Sequence, residues 1–136
     1  MTIALSTQDK TTIRIAAYGA VTLMSSAGIA GSAHKIGTDG SLALAAATGV
    51  VGHVIAEAKA KELKFPGKST AAIADQVLPA LTESVKVLSA QDADEAENFR
   101  ATILVAVEAA TRAHKGAPSP TMAAMSRKIT EALDAA

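Results

Sequence analysis

The chain has 136 residues, a length that suits a single domain, with 13 basic and 13 acidic side chains and a net charge of zero. Without cysteine a disulfide scaffold and a thiolate zinc site are impossible, and the balanced charge argues against a polybasic nucleic-acid binder. Hydrophobic residues make up 49% and aromatic residues only 2%, so the chain is too apolar for disorder and too poor in rings to stack bases. Alanine fills 32 positions, and the expected fold is all-α: a single-domain bundle of five to six helices over residues 1–136 with an alanine- and glycine-rich core.

Helix one is predicted to start near Thr7 or Gln8, with Ser6 and Asp9 at capping-box spacing. Ile13, Ala16, Ala17, Ala20, Val21, Met24 and Ala27 form one apolar face, while Ile15, Tyr18, Thr22 and Leu23 leave the rest of the wheel uncharged. A helix apolar nearly all round is a buried helix. Gly28 suits its C-terminus, and Ile29 to Ile36 read as a short helix or an ordered loop in a glycine-rich stretch.

Helix two is predicted from Ser41 to Leu63, after the N-cap candidates Asp39 and Ser41. Thr48, Gly52, Ala56 and Ala60 are small residues at steps of four, one stripe along such a helix. Glycine inside a helix costs about 1 kcal/mol relative to alanine, so close approach by a neighbouring helix is the expected compensation.

Phe65-Pro66-Gly67-Lys68 breaks the chain, and Ser69 or Thr70 caps the next helix, whose face is Ile73, Val77, Leu81, Val85 and Leu88. Pro79 leaves two readings: a short helix followed by a new one near Gln76, or one helix kinked near residue 75. Ser89 and Asp92 repeat the capping-box spacing before a helix that runs to about Lys115 with Ala96, Phe99, Ile103, Val107 and Ala110 inward. Acids at its start complement the helix dipole. Gly116 ends it, Ser119 caps the last helix and Pro120 opens it, with Met122, Met125, Ile129 and Leu133 inward.

Charge is uneven along the chain. Residues 1–56 hold five of the 26 charged side chains: Asp9, Lys10, Arg14, Lys35 and Asp39. A surface helix needs a polar face, so the N-terminal half must be covered by the rest of the chain, a second subunit or lipid. The uncharged runs are rich in Ala, Gly, Ser and Thr, lack interfacial Trp and have no clearly basic flanks, which argues against a membrane hairpin. Asp9 and Arg14 spoil a secretory signal, and the absence of cysteine fits the cytoplasm.

Chemical motifs are sparse. Pro66 to Thr70 resembles the end of a phosphate loop, but Glu62 stands where that loop needs glycine. None of the histidines has Glu three residues before it, so a di-iron site is not supported, and no Gly-x-Ser-x-Gly elbow exists. No pair of groups reads as nucleophile and base, and no cofactor or metal is implied. His53 and Glu57, four apart, form a polar pair; with His34 and Tyr18 they are the groups available to a ligand pocket between helices.

The C-terminal third, Phe99 to Leu133, resembles the helix-turn-helix of TerB-like, tellurite-resistance-type domains: an alanine-rich helix, a short glycine-containing turn, and a helix ending Ile129-x-x-x-Leu133. The resemblance implies a metal or stress-response role. Lys115 and Met122 stand near the places where those domains carry acids, so no functional residue is carried over. The function expected from the residues is a non-enzymatic module that self-associates or binds a protein partner through its charge-poor half, with Thr48, Gly52, Ala56 and Ala60 as the interface. The alternative is a helical bundle with a small-ligand pocket near His53, or a membrane-inserting hairpin.

Overall fold

A computed structural model describes residues 3–28, 33–58, 69–113 and 120–136, with the side chains of residues 33 and 34 left aside. Among the described residues the protein is all-α: α1 (Thr7–Ala27), α2 (Ala33–Ala45), α3 (Gly49–Ala56), α4 (Thr70–Ser89), α5 (Ala93–Ala113) and α6 (Pro120–Asp134). No strand occurs among them.

α1 opens with both halves of the expected capping box. The Asp9 N–H donates to Ser6 Oγ at 3.0 Å and the Ser6 N–H to Asp9 Oδ2 at 3.2 Å. Ten of its 21 residues are buried, because α1 lies at the centre and packs against every other helix. The chain therefore supplies its own cover for this charge-poor helix. Gly28 caps α1 with extended φ and ψ of −74° and 164°. Its missing side chain makes room for Ile36, whose Cδ1 lies 2.5 Å from where a Cβ would sit.

The predicted helix two is in fact two helices. α2 begins earlier, at Ala33, and runs through Gly37 and Gly40; the chain breaks at residues 46–48 and restarts as α3. Gly49 has a φ of +72°, a left-handed conformation that interrupts a straight path and that side chains disfavour. The proposed stripe of small residues consequently does not lie on one helix. Thr48 is the N-cap of α3, Ala56 is its exposed last residue, and Ala60 lies outside the described residues. Gly52 is buried against the Ala47 backbone of its own chain, where a Cβ would collide with the Ala47 carbonyl oxygen. Close helix approach is real but sits elsewhere. A Cβ on Gly19 of α1 would run into the Val77 methyls of α4, and one on Gly40 of α2 would lie 2.9 Å from Val21 Cγ1 of α1.

α4 is a single helix that passes through Pro79. The backbone bond lost there belongs to the Asp75 carbonyl, and both residues are exposed, so that carbonyl lies on the solvent side of the helix. Ser69 caps α4, accepting from the Ala72 N–H at 3.1 Å. The cap of α5 is Asp92, which accepts the Asp94 N–H at 2.9 Å, while Ser89 is the last residue of α4 rather than a cap. Pro120 is the first residue of α6, and Met122, Met125, Ile129 and Leu133 are all buried. His114, Lys115, Gly116 and Ser119 lie outside the described residues, as does the whole predicted break from Phe65 to Lys68.

The core joins Phe99, Ile13, Leu23, Ile36, Leu81 and Ile103 with many alanines. No helix among the described residues is long and apolar enough to cross a membrane. The uncharged run from Leu42 to Ala56 is divided between α2 and α3, each far short of the roughly 20 residues a span requires.

Candidate functional site

α3 has only eight residues. Isolated helices below about 12 residues are marginal in water, so neighbouring elements must hold it. Both of its ends are capped by side chains from other helices. Thr48 makes no side-chain cap bond, and Glu95 of α5 takes that place: its Oε1 accepts the Val50 N–H at 3.3 Å. Asn98 Nδ2, also from α5, donates to the Thr48 carbonyl at 2.9 Å. A carboxylate at a helix N-terminus also complements its dipole.

The C-terminal end is held from α1. Arg14 is 8% exposed, and its Nε donates to the Val54 carbonyl at 2.8 Å. Its Nη2 lies 3.3 Å from Glu57 Oε2. One turn further along α1, the Tyr18 hydroxyl donates to the Ile55 carbonyl at 3.3 Å. A cation at this end of a helix is the favourable sign. Burial pushes the Tyr18 phenol above its ordinary pKa, which keeps it a neutral donor. His53 completes the cluster, with Nε2 2.9 Å from Glu57 Oε1, so the Glu57 carboxylate is shared between an arginine and a histidine.

Of the residues singled out in the sequence, His53, Glu57 and Tyr18 come together at the end of α3. The side chain of His34 lies outside the described residues. Sequence reasoning does not name Arg14 as a site residue, although its signal is present: it is the lone charge between Lys10 and Lys35, within the apolar stretch of its helix. A buried charge has to find a partner. Its partner, a carbonyl 40 residues away, could not be read from spacing. Among the described residues no group of three His, Asp or Glu side chains is arranged to hold a metal ion.

α6 is held in the same way. Arg100 of α5 donates through Nη1 to the Leu133 carbonyl at 2.9 Å and pairs through Nη2 with Asp134 at 2.6 Å. Thr82 of α4 donates to the Ala132 carbonyl at 2.6 Å.

Among the described residues, two depressions adjoin this architecture. The larger, about 440 Å³, lies between the N-terminal segment and α3, with Ile3, Leu5, Val50 and Val54 as apolar wall and Lys10 and His53 as polar groups. The smaller, about 250 Å³, lies between α2 and α5, lined largely by Ala43, Ala46, Ala47, Ala101 and Val105 with no charged side chain. Leu42, Leu104 and Val105, the exposed large hydrophobics among the described residues, all belong to α2 and α5.

Comparison with protein-family models, with curated proteins and with solved structures finds no match to this chain.

Proposed function

We propose that the protein is a non-enzymatic helical module that binds a second copy of itself through the exposed apolar side chains of α2 and α5. One observation carries this reading. Among the described residues the exposed large apolar side chains fall on these two mutually packed helices, with Leu42 at 64% and Val105 at 53% exposure, and Val105 borders an alanine-rich depression. Apolar surface gathered in one place marks a contact surface, whereas single scattered residues do not. The charge-poor sequence of α1 is accounted for by burial within the chain, so α2 is the part of that half left for a partner.

A second copy related by a two-fold axis would set this face against itself. The population of such a dimer depends on protein concentration. Light scattering after size exclusion, over a range of concentrations, tests it. The expected result is a shift from monomer to dimer that Val105→Lys and Leu42→Lys each suppress without loss of helix content. A monomer at high micromolar concentration would refute it.

A further inference from the structure

We propose that the groove between the N-terminal segment and α3 binds a small monocarboxylate with an apolar tail, a site independent of the self-association above. Its volume of about 440 Å³ falls within the range of small-molecule sites, roughly 300–1,000 Å³. Ile3, Leu5, Val50 and Val54 give the tail an apolar wall, and Lys10 supplies one positive charge at its edge.

The charge is available. Among the described residues Lys10 enters no ion pair. The carboxylates on the surrounding elements are engaged otherwise: Asp9 with the Ser6 N–H, Glu57 with Arg14 and His53, and Glu95 with the Val50 N–H and Asn98. None of these carboxylates lines the groove, so among the described residues that line it an anion meets the Lys10 ammonium and no acid. His53 also lines the groove, and its Nε2 is engaged by Glu57.

The wall is also built in advance. Gln91, in the turn between α4 and α5, holds the N-terminal segment in both directions: the Ala4 N–H donates to its Oε1 and its Nε2 donates to the Ala4 carbonyl at 2.6 Å. A site whose wall is already fixed spends less of the binding energy on ordering.

The test is a titration of the full chain with sodium octanoate, followed by amide shifts in two-dimensional NMR, with octylamine as the cationic counterpart. Saturable binding of octanoate is expected, with the shifts centred on Leu5, Val50 and His53. Lys10→Gln should weaken it about tenfold, the size of a lost charge-assisted contact. Octylamine should not produce the same map. The proposal is overturned by no saturation in the millimolar range, by shifts centred on Leu42 and Val105, by equal binding of octylamine, or by undiminished affinity in a folded Lys10→Gln protein. Should that variant unfold, the map on the unaltered chain decides.

Discussion

Replacing Arg14 with alanine removes the main tie between α1 and the C-terminal end of α3. The charge-assisted bond from Nε to the Val54 carbonyl is short and buried. Bonds of that kind contribute about 1.5–3 kcal/mol. The lower half of that range applies, because the Val54 carbonyl keeps a long bond from the Glu57 N–H at 3.3 Å. The ion pair with Glu57 contributes at most about 1 kcal/mol, since the Glu57 side chain is 47% exposed and screened by water. Losing the packed methylene stem adds about 1 kcal/mol. Arg14→Ala should therefore cost about 3–4 kcal/mol. Arg14→Met keeps the stem and should cost about 2 kcal/mol by the same terms. Glu57→Gln should cost under about 1 kcal/mol. Urea unfolding followed by far-ultraviolet circular dichroism reads all three, and at about 3 °C per kcal/mol for a chain of this size the alanine variant should melt roughly 10 °C lower. The reasoning is refuted if Arg14→Ala costs less than about 1 kcal/mol, or if Glu57→Gln costs as much as Arg14→Met.

Three further outcomes follow from other parts of the fold. Tyr18 is the single tyrosine, so its phenolate absorbance can be titrated without interference. Its raised pKa in the folded state means its contribution is complete below the ordinary tyrosine pKa and is lost as pH rises through the folded value. The native midpoint should exceed that of the urea-unfolded protein, and Tyr18→Phe should abolish this alkaline contribution. At Gly49 a side chain would meet both a φ of +72° and Glu95 Oε1 at 2.6 Å. Gly49→Ala should cost about 2 kcal/mol, from left-handed strain and the displaced cap, and should speed hydrogen exchange in α3 before the other helices. Gly19→Ala should cost about 1–3 kcal/mol by pressing on Val77, and Val77→Ala in the same chain should recover part of it; strict additivity in that double-mutant cycle would show the two do not touch.

The small-residue stripe shows where spacing misleads. Gly52 accommodates the Ala47 carbonyl of its own chain. A bulky substitution there would disturb α3 itself and would report on folding before it reported on any interface. Leu42 and Val105 are the better positions for testing association because both point into water.

By itself the sequence determined the helical class, the capping box at Ser6 and Asp9, the start of α6 at Pro120 and the inward faces of α1, α4, α5 and α6. These depend on residues within a few positions of one another: a side chain reaching the next turn, a proline fixing φ, an apolar period of 3.6. Only the tertiary structure decided that α2 and α3 are separate, because Ala43 to Ala47 favour helix and only Gly49 marks the break. It alone showed that α3 is held at one end by Glu95 and Asn98 and at the other by Arg14 and Tyr18. Those bonds join residues 37 to 50 positions apart, and a hydrogen bond across such a distance leaves no periodic trace in the chain.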